Sequence, residues 1–491
     1  CQPTCGYEER QGFMKDPPGE TPRDQAQPPR IFRTIPIYRP LARVVLLGKQ
    51  AAAPPKTIGV RYVALGFALL IGVGTLLLSL PMARAPETAW SLLDTLFTAT
   101  SAVCVVGLVV VDTGTQWSVF GQAVILGLVQ LGGLGVMTAS MFILIILRRP
   151  VSFRDRIQLQ ETSRLGNIRS VSGLLWATVL VTAFFELAGA AAIWFHLKGL
   201  GGDVEPVWPA VFHAVSAFNN AGFDVTGTSS SFTSFAHDPI MILIIAGLAV
   251  FGGLGALVLM DIVGQRSWRA FSQNSKLVLT ISVILLTIGF LGILAAEFAN
   301  PRTLGALSLV DKLTNAFFHS VIARTAGFST LPVQEFRDET QLLTMALMYV
   351  GGATGSTAGG IKVTTLAVLV LATVAATRGH EHASAFGSRL SHQLIYRALA
   401  VAAYSLGVVF LGTLVLATTE QFAFRQLLFE VVSAFATVGL TTGITPDLSI
   451  AGKLTIIGIM YLGRLGPLTV AYALAQRARE PSYQLPERDV A

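Results

Sequence analysis

The sequence predicts an all-α integral membrane protein. Its plan is four tandem helix–pore-loop–helix repeats, with eight spanning helices and four re-entrant pore helices around a pseudo-fourfold axis. Three observations lead there. Of 491 residues, 52% are hydrophobic and only 13% charged, with a mean hydropathy of +0.62, whereas soluble domains carry about 25% charged residues. Long apolar stretches recur, each near the roughly 20 residues that cross a hydrocarbon core. Finally, one stretch occurs four times: DTLFTATSAVCVVGL, PAVFHAVSAFNNAGF, TNAFFHSVIARTAGF and QLLFEVVSAFATVGL. These copies align on Gly107, Gly222, Gly327 and Gly439, spaced 115, 105 and 112 residues apart. Ten residues before each glycine stands Phe97, Phe212, Phe317 or Phe429, and six before it Ser101, Ser216 or Ser433, with Val321 in the third copy. The period is too long for a solenoid unit. It suits two membrane helices with a shorter segment between them.

In chain order, residues 1–56 form a polar, proline-rich stretch without helical periodicity, expected to be a disordered cytoplasmic tail. No apolar core follows its charged start, so it does not read as a signal peptide. The repeats follow as 57–150, 151–268, 269–380 and 381–480, and residues 481–491 make a short cytoplasmic C-terminal tail. Outer and inner helices pair as Ile58–Met82 with Val119–Leu147, then Leu174–Leu197 with Ile240–Val263. The third pair is Leu277–Phe298 with Leu342–Val374, and the fourth Leu394–Ala417 with Leu454–Ala475. The segments between them are too short to span, and their non-helical ends are tolerable only inside protein or a wet cavity.

Basic residues set the orientation. The tail carries Arg30, Arg33, Arg39, Arg43, Lys49 and Lys56, and the turns after the inner helices carry Arg148, Arg149, Arg154, Arg156, Arg266, Arg269, Lys276, Arg378, Arg389 and Arg397. With Arg477 and Arg479 they share one side, the cytoplasm, with both termini on that side. This placement accounts for the net charge of +7 without nucleic acid as a partner. Glu87, Asp112, Asp203, Glu205, Asp238, Glu335, Asp338, Glu339 and Asp447 fall on the opposite side, either steering cations or merely solvated. Cys1, Cys5 and Cys104 show no metal spacing.

Four half-helices whose C-terminal ends point at the bilayer centre favour a cation there. The backbone beyond them would ring the axis with carbonyl oxygens, which replace the hydration shell of potassium. The candidate filter is therefore Val105, Val106 and Gly107; Asn220, Ala221 and Gly222; Thr325, Ala326 and Gly327; and Thr437, Val438 and Gly439. Glycine suits such turns because it tolerates positive φ.

The inner helices repeat Gly132-Gly133-Leu134-Gly135 as Gly252-Gly253-Leu254-Gly255, loosely as Gly351-Gly352, and as Gly463-Arg464-Leu465-Gly466. Small residues there let backbones approach closely. Arg464 replaces a glycine near mid-membrane, where charge is costly. It reads either as a positive charge under the filter or as a structural ion pair with an acid such as Glu430. The run GGATGSTAGGIK cannot hold a helix, since each glycine costs about 1 kcal/mol relative to alanine. Its Gly351, Gly352, Gly355, Ser356, Thr357, Gly359, Gly360 and Lys362, with Arg464, are the candidate gate.

Other chemistries fit less well. No Ser or Thr follows Lys362 as a phosphate-binding loop requires. His213 and His319 lack a nucleophile–base partner, so no enzyme is expected. No arginine-rich helix senses voltage. A secondary cation transporter working by alternating access would use inverted repeats, whereas these four run the same way.

SAVCVVGL, SAFNNAGF, ARTAGFST and ATVGLTTG, with GGATGSTAGGIK and GRLG, resemble the Trk/Ktr/HKT superfamily of potassium transporters over about Ile58 to Ala475. The chain is most similar to the Ktr-type membrane (pore-forming) subunit, because two N-terminal helices typical of the Trk type are absent. The resemblance implies inward K+ translocation, a glycine-lined filter, an intramembrane gate at the broken third inner helix and an arginine beneath the filter. It also implies a homodimer in the lipid bilayer on a cytoplasmic ring of nucleotide-binding regulatory subunits, with Na+ a candidate coupling or activating ion. Val106 stands where family members commonly have threonine. Glycine in all four copies favours potassium, since sodium-conducting plant relatives tend to have serine in the first.

Overall fold

The computed structural model describes residues 58–86, 88–135, 171–201, 206–227, 231–265 and 267–476. The tail 1–56, the far part of the first inner helix, the bases Arg148, Arg149, Arg154, Arg156 and Arg266, and the C-terminal tail lie outside the described residues.

The fold is mostly helical. Helix α1 (Ile58–Ser79) gives way to a 3-10 turn at Pro81–Ala83, because proline cannot continue the helical hydrogen bonding. Ser91 caps α2 (Leu92–Cys104) through Asp94 N, and Ser118 caps α3 (Val119–Gly133) through Gly121 N. Next come α4 (Val171–Gly199), α5 (Val207–Phe218), α6 (Pro239–Leu254) and α7 (Ala256–Gly264). Then follow α8 (Gln273–Glu297), α9 (Leu309–Ile322), α10 (Asp338–Tyr349) and α11 (Val363–Thr377). A small antiparallel hairpin, β1 (Ser384–Ala385) with β2 (Ser388–Arg389), leads to α12 (His392–Thr419), α13 (Phe424–Ala436) and α14 (Ile450–Gln476).

Among the described residues, Trp176–Gly199, Gln273–Glu297 and His392–Thr419 are long and apolar enough to cross a membrane, and the bent pair α6–α7 passes the same test when taken together. Their outward faces are greasy: Leu180, Phe184 and Leu187 on α4, and Leu406, Phe410 and Leu411 on α12, are all exposed. Exposed apolar area of that extent matches a lipid solvent. The buried core instead gathers around the short helices, where Phe97, Phe212 and Phe429 are fully enclosed. In the third copy Phe317 is only half-buried and its neighbour Phe318 is enclosed instead.

Packing runs in a cycle. The inner helix α3 meets the short helix α5, α6 meets α9, α10 meets α13, and α14 returns to α2. Polar contacts follow the same circuit. Trp208 Nε1 donates to Gln122 Oε1 at 2.7 Å, Asn315 Nδ2 to Ala236 O at 2.8 Å, Arg425 pairs with Asp338, and Lys453 Nζ meets Asp94 Oδ1 at 3.0 Å.

The inner-helix glycines allow this closeness. A Cβ at Gly132 would run into Val103 O, at Gly252 into Phe218 O, and at Gly463 into Phe435 O. Each of those carbonyls lies four residues before an anchor glycine.

One expectation needs correction. Ile240–Val263 reads as a single helix, but the structure bends it by 92° between α6 and α7. The cause is tertiary. Gly253 O accepts from Ala353 N at 2.9 Å, and Gly255 takes φ +77°. A side chain at Gly255 would also press on Gly355 O at 2.9 Å.

Gly252→Ala is expected to destabilise the purified protein by about 1–3 kcal/mol through overpacking against Phe218 O. Gly247→Ala, with open space around it, should be neutral or stabilising by up to about 1 kcal/mol. Paired thermal melts in detergent check the difference.

Candidate functional site

Within three positions of the end of each short helix stands a left-handed residue, and a second follows two positions later. Val105, Asn220, Thr325 and Thr437 have φ of 56°, 58°, 83° and 53°, and the anchors Gly107, Gly222, Gly327 and Gly439 have 88°, 69°, 73° and 92°. Glycine accepts this freely, but β-branched Val105, Thr325 and Thr437 do so only at a cost of about 1–3 kcal/mol each. Strain imposed at equivalent positions is built in. Nothing in the sequence marked these β-branched residues; only Asn220 carries a hint, because asparagine tolerates the left-handed region.

The four turns meet. A Cβ at Gly107 would strike Ala221 O, one at Gly222 would come within 2.9 Å of Ala326 O, one at Gly327 would strike Val438 O, and one at Gly439 would strike Val106 O. The carbonyl before each anchor thus abuts the anchor glycine of the preceding copy, and the fourth copy closes onto the first. The result is a ring of backbone.

Serine and acid side chains brace it. Ser101 Oγ and Ser433 Oγ accept from Gly107 N and Gly439 N, each at 3.1 Å, while Ser216 Oγ donates to Phe223 O at 2.8 Å. Val106, Ala221 and Val438 donate N–H to the carbonyl of that same serine, at 2.8, 2.8 and 2.9 Å. In the third copy, where Val321 replaces serine, Ala326 N turns one residue tighter onto Ile322 O. Above the ring, His213 Nε2 lies 2.8 Å from Asp224 Oδ1. Glu430 accepts from Thr441 Oγ1, Thr442 N and Thr445 Oγ1. His319 sits beside Thr330 and Phe336. Burial pushes the Asp224 carboxyl up, but hydrogen bonds from His213 and Thr226, with the charge of His213, hold it below the usual carboxylate range. A cavity of about 440 Å³ opens on this side, lined by the four anchor glycines with Asp112 and Asp224.

The residues before the glycines meet the broken third inner helix. Between α10 and α11, Val350–Lys362 runs as a loop pinned by Gly351 N to Ile361 O at 2.9 Å and Val363 N to Gly352 O at 3.1 Å. Thr357 Oγ1 lies 2.8 Å from the Asn220 amide. Turned so that its oxygen also accepts from Gly253 N at 3.2 Å, that amide satisfies every neighbour. Gly359 packs on the Thr437 side chain, and Gly360 on Ala436. Gly355 and Ser356 lie against Gly255, and Ser356 Oγ closes on Ala353 O at 2.7 Å. Lys362 Nζ donates to Ala358 O at 2.5 Å within the loop. Buried Arg464 donates to Thr357 O and to Gly132 O, both at 2.7 Å. Its partners are carbonyls, and the ion pair with Glu430 that the sequence left open does not form. All the candidate gate residues therefore gather at one place, touching the second and fourth copies directly and the first through Arg464. The hydroxyls of Thr325 and Thr437 are buried here without a hydrogen-bond partner. Buried groups of that kind call for water or an ion.

A family model described as TrkH, cation transport protein, matches residues 65–484. The chain is 42% identical over 427 residues to Ktr system potassium uptake protein B of Bacillus subtilis, covering 87% of this chain and 95% of that protein. It is 37% identical over 437 residues to potassium/sodium uptake protein NtpJ of Enterococcus hirae, covering 88% and 96%. The crystal structure of the potassium transporter TrkH from Vibrio parahaemolyticus superposes with a TM-score of 0.67 at 20% identity, over 85% of this chain and 84% of that one. That likeness concerns the fold alone.

Ser101→Ala and Ser433→Ala each leave a buried glycine N–H unpaired, at an expected cost of about 1–3 kcal/mol. Thermal unfolding of the single and double variants measures it. Full wild-type stability in the double variant would exclude the brace.

Proposed function

The chain belongs to the TrkH family of cation transport proteins, and from that premise we propose that it is the pore-forming subunit of a potassium uptake system. K+ passes inward between the carbonyls of Val105–Gly107, Asn220–Gly222, Thr325–Gly327 and Thr437–Gly439, shedding water onto them. The observation that carries this reading is the closed cycle in which the carbonyls of Val106, Ala221, Ala326 and Val438 each abut the preceding copy's glycine, the first copy abutting the fourth. A ring made only of neutral backbone dipoles suits a weakly hydrated monovalent cation and offers nothing to an anion.

On this reading the chain crosses the membrane eight times as four repeats, 57–150, 151–268, 269–380 and 381–480. The basic turns and both termini lie in the cytoplasm of the bacterial inner membrane. The cavity with Asp112 and Asp224 is the outer vestibule. The loop Val350–Lys362 closes the path beneath the filter, held by Arg464 and Asn220. Opening replaces those hydrogen bonds with water. The working unit on this reading is a homodimer on a cytoplasmic ring of nucleotide-binding regulatory subunits, with Na+ a coupling or activating ion; the Ktr-system name of the Bacillus protein supports a membrane subunit with other components, and the name of the Enterococcus protein supports some involvement of sodium.

The decisive measurement is rubidium or potassium uptake with sodium competition, in cells stripped of their own potassium uptake, with and without a cognate regulatory subunit. Saturable, potassium-preferring uptake is expected. Correctly inserted protein that moves no ion even with its partner would overturn the proposal. Gly107→Ser puts a side chain against Ala221 O at φ +88°, and should admit sodium. Unchanged preference would remove Gly107 from the filter. Arg464→Ala deletes charge-assisted bonds worth about 1.5–3 kcal/mol. It should raise uptake without the partner by roughly tenfold or more, as should deletion of residues 355–359. A folded variant with unaltered flux would count against a gate.

A further inference from the structure

Glu186 lies near the middle of α4. It is ten residues from Trp176 and thirteen from Gly199 in the spanning stretch, or about 15–20 Å from either end at 1.5 Å per residue. Its carboxylate does not reach a membrane face. It turns inward to two amides: Asn219 Nδ2 donates to Oε1 at 2.8 Å and Gln130 Nε2 to Oε2 at 3.2 Å. The two amides also join each other, Asn219 Nδ2 to Gln130 Oε1 at 2.7 Å. No base is paired with Glu186 among the described residues. A carboxylate in hydrocarbon with no counter-charge is costly, and such groups mark ion and proton sites.

A second observation points to the ligand. Asn219 is fully buried, yet its Oδ1 accepts no hydrogen bond. It faces Gly133, where any side chain would collide with it. The ionised carboxylate takes both amide N–H groups and leaves that oxygen idle. A protonated carboxyl has an O–H to give, and turning the Asn219 amide in the space left by Gly133 supplies the acceptor. The site therefore offers an added proton a ready acceptor, whereas the ionised form leaves that oxygen unmet.

We propose that Glu186 is an intramembrane proton-binding site, and that its occupancy sets how firmly the loop Val350–Lys362 is held. The linkage is short. Asn219 precedes Asn220, which holds Thr357 Oγ1. Gln130 lies two residues before Gly132, whose carbonyl holds Arg464. The proton adds to a carboxylate oxygen, removes its charge, and frees both amides from their strongest acceptor. The proton site stands on this geometry alone; its effect on flux rests on the gate reading above.

Other titratable groups on the packed elements are already committed. On α4 and α6 His196 pairs with Asp238, and Lys198 lies over Trp194. On α5 His213 pairs with Asp224, on α7 Asp261 accepts from Ser272 N, and α3 carries no titratable residue.

The test uses purified full-length protein in lipid vesicles. Infrared titration between about pH 5 and 9 should show a carboxylic-acid carbonyl band that grows on acidification in the wild type and is missing in Glu186→Gln. Uptake measured over the same range should change several-fold in the wild type and stay flat in the variant. Identical infrared titrations of the two proteins would overturn the proton site, whatever the flux does. A band that disappears while uptake keeps its wild-type pH dependence would sever the site from the gate. If sodium, and not pH, changes the wild-type signal in a way the variant loses, the site binds a metal cation and the proposal fails. Should Glu186→Gln not accumulate, Glu186→Met removes the same charge with an apolar side chain of similar length and gives the same readouts.

Discussion

Everything in this molecule depends on four backbone turns approaching within van der Waals reach of one another. The anchors Gly107, Gly222, Gly327 and Gly439 have room for a hydrogen and nothing more, because the space a Cβ would fill holds a neighbour's backbone. That constraint propagates outward. In the first and fourth copies a serine hydroxyl satisfies the anchor glycine's N–H, since no helical partner is left for it. The inner helices in turn need Gly132, Gly252 and Gly463 so that they can press against carbonyls four residues before the anchors. A demand made by backbone at the axis is answered by glycine two layers out.

The closing loop shows the same economy. Gly253 O receives Ala353 N, so a kink in α6–α7 and an unwound segment in the third inner helix satisfy each other. Irregular backbone at this depth persists because it is buried in protein. Arg464 then draws together two carbonyls from different copies, Thr357 O and Gly132 O. A guanidinium does this well because its planar fork presents several donors at fixed angles. Neither the kink nor the loop has a stable partner without the other.

The axis was legible in the sequence because it repeats. Four glycines at matching offsets from phenylalanine reveal a shared constraint that no single copy would, and the density of small residues in GGATGSTAGGIK announces a break. The break at Gly255 was not legible. Gly132-Gly133-Leu134-Gly135 and Gly252-Gly253-Leu254-Gly255 have identical lettering, and Gly135 and Gly255 share a positive φ of 80° and 77°; the letters do not show the partner at the second, where Ala353 N reaches Gly253 O across a hundred residues. The left-handed Val105 and Thr437 were hidden for a related reason. Local preference opposes that conformation in β-branched residues, and tertiary contact overrules it. No repeat or motif marks Glu186, although an ionisable group at that depth in an apolar helix is itself the signal. Arg464 drew attention because it interrupts a repeat, and its partners became known only from the fold.

The circuit of contacts also has a consequence for how the chain is made. Lys453 meets Asp94 across 359 positions of sequence, and Tyr461 Oη donates to Ala64 O across 397. The first copy therefore cannot acquire its fourth-copy neighbour until 359 to 397 further residues have been made. At the usual pace of about 5–20 residues per second, that wait lasts on the order of half a minute. Throughout it, the polar flank of α2 has no finished wall beside it. The seam between the first and fourth copies stays open until α14 is in place.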